Sequence, residues 1–326
     1  MNQNIKNIVI TGGSGYIGGH IAKHLYHTKQ YRLFNIDIAS PTSNQLKYYD
    51  LSFRADYDST TTYEFLKHAD IDGIIHCAGD RSVGESVINP AKYYTNNVAK
   101  TANFLSNLIE LPKIPVVLFS SSASVYGKPT TNIITEDTTT DPISPYGRSK
   151  YFIENMLKDF DQAYGLKYIC FRYFNACGAD LDAEMGQAQN APHIIAKALE
   201  SIINKSQFTL NGNDFVTYDG TCIRDYVHVI DIANAHHKGL QYLLSGLSSD
   251  VFNLGTNTGI SNQEIINFIN SNINTLNLVI GNRRPGDPDK LIADCTKAQQ
   301  ILEWRAEHSD IQTIVNSAWK WYNNGV

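Results

Sequence analysis

The chain has 326 residues, of which 42% are hydrophobic and 18% are charged, and its formal net charge is −5. This composition is typical of a folded globular protein and excludes an intrinsically disordered chain. The slight acidity provides no electrostatic attraction to nucleic acid or to an anionic membrane surface, so we expect neither as a partner.

The first half of the chain alternates short β-branched runs with stretches of helical periodicity. Strands are predicted over residues 8–11, 33–38, 71–77, 116–120 and 168–173, and a first helix over residues 16–26. Alternation of strands and helices predicts a parallel sheet that carries helices on both faces. We therefore assign the chain to the α/β class, with a doubly wound parallel sheet of the Rossmann type.

The pattern loosens after residue 174. The elements predicted there are a loop over residues 175–190, a helix over 193–204, a strand over 208–210, a helix over 262–269 and a loop over 281–290. Ser261 followed by Glu264 fits a capping box that opens the second of these helices. We predict a Rossmann domain over residues 1–174, with a return segment near 223–255, and a smaller C-terminal α/β lobe over 175–326.

The N-terminal sequence and the cysteines indicate the compartment. The first residues lack the basic start and apolar run of a signal peptide, and no stretch approaches the ~20 apolar residues of a membrane-spanning helix. The five cysteines are odd in number and form no CxxC pair. We therefore expect reduced thiols in the cytoplasm, with neither a disulfide framework nor a zinc site.

A glycine-rich motif, TGGSGYIG, spans residues 11–18 between the first predicted strand and helix. Gly12 permits a tight turn, Gly15 lets the backbone approach a pyrophosphate, and Gly18 lets the helix pack close to the sheet. The helix N-terminus favours an anion. Asp37 ends the second strand, at the position of the acid that binds the adenosine ribose hydroxyls. Because a carboxylate there repels a 2′-phosphate, the motif predicts NAD rather than NADP.

Two further segments carry groups suited to proton transfer. In SPYGRSK, Ser144 is a suitable N-cap and Pro145 a suitable first helical residue, which places Tyr146 and Lys150 on one helix face. A neighbouring ammonium favours the phenolate, so we expect Lys150 to lower the pKa of Tyr146 and make it a base. Ser122 lies at the carboxyl end of a predicted parallel strand, where α/β sheets bind ligands.

Seven segments together resemble the motifs of UDP-galactose 4-epimerases (UDP-glucose 4-epimerases), members of the extended short-chain dehydrogenases/reductases. The resemblance extends from about residue 8 to residue 321. The segments, in chain order, are TGGSGYIGGH, IIHCAGDRSVGES, FSSSASVYGKP, SPYGRSK, RYFNACGA, DGTCIRDYVHV and RRPGDP.

The resemblance implies roles for particular residues. The catalytic residues are Tyr146, Lys150 and Ser122. The NAD contacts, in addition to Tyr146 and Lys150, are Gly12, Gly15, Tyr16, Ile17, Gly18, Asp37, Ile38, Asp56, Cys77, Ala78, Gly79, Arg81, Asn96, Ser120, Tyr173 and Phe174. The nucleotide-sugar contacts, in addition to Ser122 and Tyr146, are Asn175, Asn190, Arg224, Arg284 and Asp287. Arg81 keeps a cation where relatives usually have lysine.

The resemblance also implies a reaction. Tyr146 takes the proton of the sugar 4-hydroxyl, directly or through Ser122, the sugar passes through a 4-keto form, and reduction from the other face inverts C4. Arg224 and Arg284 are suited to bind the diphosphate with bidentate donors. Relatives are often homodimers, through helices that include the Tyr146–Lys150 segment, so we expect a homodimer.

Two positions depart from the family pattern and leave the substrate open. Asn211 stands where relatives commonly have an aromatic residue near the uracil. Leu291 stands where residue size is associated with excluding or admitting N-acetyl sugars, and leucine is intermediate. The sequence alone therefore leaves open whether UDP-N-acetylhexosamines are accepted in addition to UDP-galactose and UDP-glucose.

Other functions are compatible with the same fold. A 4,6-dehydratase is disfavoured, because Ser122-Ala123-Ser124 lacks the carboxylates that remove water. An epimerase or decarboxylase of a UDP-uronic acid or UDP-pentose remains an alternative, and so does a non-catalytic NAD-sensing regulator, although such regulators typically lack the tyrosine or lysine.

A metal site is not expected. His20 and His24 lie four residues apart on a predicted helix, but the glutamate of an HExxH motif and a third ligand are missing. We expect these two histidines, and the pair His236-His237, to face solvent.

Overall fold

Within the described residues, 5–189, 191, 193–283 and 287–324, the computed structural model of the chain is built on a seven-stranded parallel sheet. The strands, in chain order, are β1 (Lys6–Thr11), β2 (Tyr31–Asp37), β3 (Leu51–Arg54), β4 (Gly73–His76), β5 (Val116–Ser122), β6 (Ile133–Ile134), β7 (Tyr168–Tyr173), β8 (Asn175–Cys177), β9 (Phe208–Asn211), β10 (Ile223–Arg224), β11 (Tyr226–His228), β12 (Asp250–Leu254), β13 (Ile260–Ser261), β14 (Leu278–Gly281) and β15 (Lys290–Ala293).

The helices pack on both faces of this sheet and around the second half of the chain. In chain order they are α1 (Tyr16–Thr28), α2 (Ser43–Leu46), α3 (Thr60–His68), α4 (Val83–Ile88), α5 (Pro90–Tyr93), α6 (Lys100–Ile109), α7 (Pro145–Tyr164), α8 (Ile194–Ile203), α9 (Val229–Leu244), α10 (Asn262–Asn272), α11 (Thr296–Ile301) and α12 (Ile311–Asn323). A π-helical segment, Tyr94–Ala99, joins α5 to α6, and a 3-10 turn, Ala123–Tyr126, follows β5. Within the described ranges, no helix has both the length and the apolar character needed to cross a membrane.

The strand order of the main sheet is β12-β7-β5-β4-β1-β2-β3, with every pair parallel. The order reverses between β1 and β4, so a crevice opens at the carboxyl ends of these strands, which is where doubly wound sheets bind ligands. The predicted α/β class and Rossmann-type sheet are therefore confirmed.

The predicted elements agree with the structure, with local exceptions. The Ser261–Glu264 capping box is present, and α10 extends three residues beyond its predicted end. The predicted loop over residues 175–190 contains a short strand, β8, which pairs in parallel with β11. The sequence did not indicate β8, because backbone pairing with a distant strand leaves no periodicity in three residues. In the predicted loop over residues 281–290, β14 ends at Gly281, and residues 284–286 lie outside the described residues.

The second half of the chain adds one strand to the main sheet and one helix to the layer that covers it. Strand β12 pairs with β7 along Asp250–Leu254, and α9 packs against α1 on one face of the sheet. The remaining elements, among them α8, α10 and α12, enclose a separate apolar core around residues such as Leu199, Ile266 and Ile314. We keep the division into residues 1–174 with a return segment near 223–255, and a lobe over 175–326, as a proposal.

A buried ion pair lies between α7 and the sheet. Arg172 of β7 donates to both carboxylate oxygens of Glu154 of α7, at 2.7 Å from Nη2 and 3.1 Å from Nε. The side chains are only 7% and 6% exposed. Ser121 also donates to Glu154, and Arg172 Nη1 donates to the Tyr126 hydroxyl at 2.9 Å. All charges and donors of this group are therefore satisfied within the protein.

The expectation that the histidines face solvent is wrong. His20 and His236 are buried, and His24 and His237 are half-buried, with ring centroids 5.4 Å apart. The reason is that α9 packs against α1, so the helix face that carries His20 and His24 lies in an interface rather than on the surface. The sequence could not predict this contact, because α1 and α9 are separated by most of the chain.

Buried neutral histidines should make the protein sensitive to acid. Burial lowers the pKa of His20, His228 and His236 to about 4, and that of His76 to about 3. Their folded-state pKa values lie below the unfolded value, so the unfolded chain binds more protons below about pH 6.5. The stability that they contribute is complete above that pH and is lost as the pH falls towards the folded values. We expect each buried histidine to lower the free energy of unfolding by about 1 kcal/mol for each pH unit between about pH 6.5 and its folded-state pKa.

Urea unfolding between about pH 7 and pH 5 measures this dependence. His20→Gln should reduce the slope of unfolding free energy against pH, whereas the same change at the exposed His68 should leave the slope unchanged. A flat profile between these pH values would contradict the assignment of neutral buried histidines.

Candidate active site

A cleft of about 630 Å³ lies at the carboxyl ends of the central strands, where the sheet order reverses. Its volume is within the range of small-molecule sites. Of the eighteen positions predicted to contact NAD, all but Phe174 line it: Gly12, Gly15, Tyr16, Ile17, Gly18, Asp37, Ile38, Asp56, Cys77, Ala78, Gly79, Arg81, Asn96, Ser120, Tyr146, Lys150 and Tyr173.

The glycine-rich turn forms one end of the cleft. Gly12 adopts φ +72°, and a Cβ atom there would lie 2.7 Å from the backbone nitrogen of Ala78. A Cβ at Gly18 would lie 2.4 Å from the carbonyl oxygen of Gly12. Helix α1 begins after Gly15 without a side-chain cap, so the N–H groups of its first turn have no side-chain acceptor. This end of the cleft is therefore a tight backbone cradle with donors for an anion.

Asp37 lies beside this cradle, at the end of β2. Its carboxylate accepts from the backbone N–H of Ser14 at 3.0 Å and from that of Ala39 at 2.9 Å. These bonds fix the carboxylate at the cleft wall, where it can accept from ribose hydroxyls. Together the uncapped helix, the glycine cradle and this carboxylate fit a dinucleotide without a 2′-phosphate.

The helix that carries the predicted catalytic pair begins as predicted. The Ser144 hydroxyl accepts from the Gly147 N–H at 3.1 Å, and Pro145 occupies the first turn of α7. Tyr146 and Lys150 then both line the cleft. The Lys150 Nζ atom lies 5.9 Å from the centre of the Tyr146 ring. Nζ also lies 4.8 Å from the centre of the Phe119 ring.

Burial dominates the protonation of this pair. It raises the pKa of Tyr146, while a hydrogen bond from Ser122 and the positive charge of Arg81 act in the opposite direction. Burial also lowers the pKa of Lys150 to about 8. The expected lowering of the Tyr146 pKa is therefore not present in the protein chain alone, because the low dielectric that surrounds both groups disfavours both charged forms.

Ser122 ends β5 and does not line the cleft. Its hydroxyl accepts from the Ser124 N–H at 3.1 Å and thereby caps the 3-10 turn. The same hydroxyl is close enough to Tyr146 to act against the rise in its pKa, so Ser122 lies near the phenol.

A chain of hydrogen bonds beside the cleft joins three predicted cofactor contacts, Cys77, Ser120 and Tyr173, to His236, which was not predicted to lie near the site. The Tyr173 hydroxyl lies 2.9 Å from Ser120 Oγ and 2.8 Å from His236 Nε2. Ser120 donates to Cys77 Sγ at 3.1 Å. His236 Nδ1 lies 2.9 Å from the carbonyl oxygen of Ile232, which orients the ring. His236 thus positions Tyr173 directly and Ser120 through it, although none of the sequence motifs indicates this role.

Of the predicted substrate residues that the structure describes, Tyr146 lines the cleft, whereas Ser122, Asn175, Arg224 and Asp287 do not. Asn175 Nδ2 donates to the Asp225 carbonyl at 2.8 Å. Arg224 Nη2 is buried without a hydrogen-bond acceptor among the described residues, and the nearest carboxylate oxygen is that of Asp287 at 3.6 Å. Asn190 and Arg284 lie outside the described residues. A buried guanidinium nitrogen without an acceptor fits an anionic ligand.

Arg224 does not form an ion pair with its neighbour Asp225. Asp225 is buried, and its carboxylate accepts from the backbone N–H groups of Thr256 at 2.8 Å and Ala293 at 3.0 Å. The side chains of Arg224 and Asp225 therefore interact with different groups.

One segment that lines the cleft was not predicted from the sequence. We call residues 178–188 the strap; Glu184, Met185, Gly186 and Ala188 of this segment line the cleft. Trp321 of α12 also lines it, and its indole donates to the Gln187 carbonyl at 2.8 Å. No local motif marks these positions, since they reach the cleft through tertiary contacts. In the part of the chain that the structure describes, no group of three or more His, Cys, Asp or Glu side chains could hold a metal ion.

Known proteins resemble this chain over nearly its whole length. Residues 8–255 match the NAD dependent epimerase/dehydratase family. A UDP-glucose 4-epimerase of Lactobacillus helveticus is 37% identical over 323 residues, which cover 97% of each chain. The corresponding enzyme of Bacillus subtilis is 35% identical and covers 98% of this chain and 97% of its own.

Solved structures agree with these relatives. The crystal structure of a UDP-glucose 4-epimerase from Brucella ovis in complex with NAD has a TM-score of 0.92 and 36% identity, and covers 97% of this chain and 98% of its own. The UDP-Glc/GlcNAc 4-epimerase of Campylobacter jejuni has a TM-score of 0.83 and 32% identity, and covers 98% of this chain and 99% of its own. The resemblance inferred from the sequence motifs is therefore confirmed.

Proposed function

Because this chain belongs to the NAD-dependent epimerase/dehydratase family, we propose that it is an enzyme that interconverts UDP-galactose and UDP-glucose by inverting C4 of the hexose. The observation that carries the proposal is the placement of Tyr146 and Lys150 in the cleft that begins at the glycine-rich turn. The cofactor is NAD, and relatives at 35–37% identity over nearly the full length are UDP-glucose 4-epimerases.

The residues of the chain divide the chemistry between them. Tyr146 accepts the proton of the 4-hydroxyl, directly or through Ser122, and Lys150 stabilises the phenolate that results. The chemistry supplied by bound NAD is the removal of hydride from C4 and its return. Arg224 binds the diphosphate of the nucleotide sugar and so holds the hexose near Tyr146.

The test is incubation of the purified protein with UDP-galactose, followed by NMR of the anomeric protons, first without and then with added NAD. Appearance of UDP-glucose at a constant equilibrium ratio supports the proposal. Absence of any change after addition of NAD would contradict it. A parallel tube with UDP-N-acetylgalactosamine tests whether Leu291, which pairs in register with Arg224, admits N-acetyl sugars.

Arg224 should dominate nucleotide binding. Arg224→Met removes a buried guanidinium whose Nη2 has no acceptor among the described residues. We expect UDP to bind roughly tenfold to a hundredfold more weakly, because hydrogen bonds to charged groups are the strong ones. Isothermal titration calorimetry with UDP measures the effect, and the same change at the exposed Arg305 provides the control. Unchanged affinity of the Arg224 variant would remove this residue from the site.

We propose that the protein is a homodimer, through α4 and α7, which pack against each other. Val87 and Ile88 of α4 are 64% and 86% exposed, and Phe152 of α7 is also exposed, so the two helices present an apolar surface. Ile88→Glu should give a monomer in light scattering, whereas Val216→Glu, at an exposed apolar residue elsewhere, should not. A monomeric parent protein would refute the proposal.

We also propose a cytoplasmic location. The side chains of Cys77, Cys170, Cys177 and Cys295 are thiols, and burial raises the pKa of each of them above its ordinary value. Thiols of this kind are typical of proteins in a reducing compartment. Fractionation of the source cells, followed by immunodetection, tests the location.

A further inference from the structure

The strap lines the same cleft as the glycine-rich turn. Its Glu184, Met185 and Gly186 line the cleft with Gly12 and Asp37. At its start, the Gly178 carbonyl accepts from the Tyr16 hydroxyl at 2.7 Å, and Met185 is buried in the main core. A ligand that fills this cleft would therefore contact the strap as well as the turn.

One carboxylate of the strap, that of Glu184, accepts hydrogen bonds from three side chains outside the strap. Glu184 accepts from Lys47 Nζ at 2.8 Å and from Lys23 Nζ at 3.0 Å, and it also accepts from the Tyr48 hydroxyl. Lys23 forms a second ion pair with the strap, at 2.8 Å from the buried Asp180. Glu184 itself is only 28% exposed, so its bonds are partly protected from solvent.

The partners of Glu184 belong to the elements that build the cofactor site. Lys23 lies on α1, the helix whose uncapped N-terminus faces the anion cradle. Lys47 and Tyr48 directly follow α2, and two residues at the start of α2, Thr42 and Gln45, line the cleft. The carboxylate of Glu184 therefore joins the strap to both elements that border the end of the cleft near Asp37.

The far end of the strap is held independently. Gly186 packs against the Trp321 ring, where a Cβ atom would lie 2.4 Å from a ring carbon, and the indole donates to the Gln187 carbonyl. These contacts do not involve Glu184. Loss of the Glu184 carboxylate should therefore loosen the strap around Glu184, while Gly178, Asp180 and the Gly186–Gln187 end stay attached.

We propose that Glu184 is a positioning residue for the cofactor. Its carboxylate holds the strap in place in the cleft wall and thereby sets the rate at which NAD leaves. The proposal rests on the proposed function only in that NAD occupies this cleft. Hydrogen bonds, first those with Lys47 and Tyr48, lower the pKa of Glu184 to about 2, so the ties are complete throughout the neutral range. Because Lys47 is half exposed, added salt should weaken them and speed release.

The test compares cofactor release from the purified proteins, without any sugar. NAD content is measured after denaturation, and the release rate is measured by trapping the NAD that dissociates with an unrelated NAD-consuming dehydrogenase. Glu184→Gln keeps the size of the side chain and removes its charge. We expect it to release NAD about tenfold faster than the parent, the effect of losing a charge-assisted hydrogen bond.

The strap provides a matched control. Asp182→Asn makes the same charge change two positions from Glu184, on a side chain that is 79% exposed and 3.6 Å from Lys23. We expect its release rate to stay within about twofold of the parent, because such exposed pairs contribute little. Equal acceleration by both variants would refute a specific role for Glu184 and indicate a general charge effect.

A second variant keeps the proposal testable if Glu184→Gln folds poorly. Lys47→Met removes a partner of Glu184 from outside the cleft lining, and it should also speed release. In the double variant the two effects on the release rate should be less than multiplicative, because both changes break the same bond between Lys47 and Glu184. Parent-like release from both single variants overturns the proposal and leaves the proposed function intact. A parent protein that neither contains nor binds NAD overturns the proposed function as well.

Discussion

Tyr146→Phe should lower the turnover of UDP-galactose by about 10²–10⁴-fold, the range typical for loss of a general acid–base group. The change removes only the phenolic oxygen, which is the atom that accepts the substrate proton. The ring itself contacts Tyr93, with centroids 6.4 Å apart, and this packing is retained. The folded structure and the cleft should therefore be unchanged, and the loss should appear in kcat rather than in the binding of UDP.

A control on the same helix separates chemistry from packing. Tyr151→Phe removes the hydroxyl of a half-buried tyrosine of α7 that does not line the cleft. Its activity should match the parent within experimental error. Coupled assay of UDP-glucose formation gives the rates, and NAD content gives the occupancy of the site. If Tyr146→Phe kept a third of the parent rate, Tyr146 would not be the base.

Glu154→Gln should lower the free energy of unfolding by about 3–5 kcal/mol, because it leaves the buried Arg172 charge without its partner. The amide offers one acceptor oxygen in place of the two carboxylate oxygens that accept from Arg172, and its NH2 group would face an Arg172 N–H. Arg172 also supports the Tyr126 hydroxyl, which donates to Asn253 of β12 at 2.7 Å. The damage should thus extend across β5, β7 and β12.

Urea unfolding of the parent and the variant gives the difference directly. Asp161→Asn provides the control on the same helix, since its partner Lys167 is half exposed, and it should cost less than about 1 kcal/mol. Replacing Glu154 and Arg172 together by leucine and methionine should recover part of the loss, because no unpaired charge then remains. A cost below about 1 kcal/mol for Glu154→Gln would mean that water reaches this pair.

Features encoded within a few residues could be predicted from the sequence. The glycine spacing predicted the turn at Gly12, because close backbone approach excludes a side chain there. Ser144 and Pro145 predicted the start of α7 and hence the common face of Tyr146 and Lys150. The alternation of strands and helices predicted the doubly wound sheet.

Features that depend on distant contacts could not be predicted. The burial of His20 follows from the packing of α9, and the position of Glu184 follows from lysines more than a hundred residues earlier. The raised pKa of Tyr146 likewise follows from burial by the whole fold, whereas spacing alone indicated only the neighbouring ammonium. Electrostatics at the site is therefore a property of the tertiary structure rather than of the YxxxK segment.

Because β12 lies far along the sequence from its partner β7, it affects how the chain folds during synthesis on the ribosome. Strand β7 is complete at Tyr173, but its outer neighbour begins only at Asp250, and α9, which covers α1, precedes it by a few residues. A nascent chain that ends between these points exposes an unpaired strand and the apolar face of α1. Such edges aggregate, and folding that waits for distant pairing is slow. The growing chain should therefore need chaperone protection until residue 254 has emerged, and fragments that end before it should be insoluble.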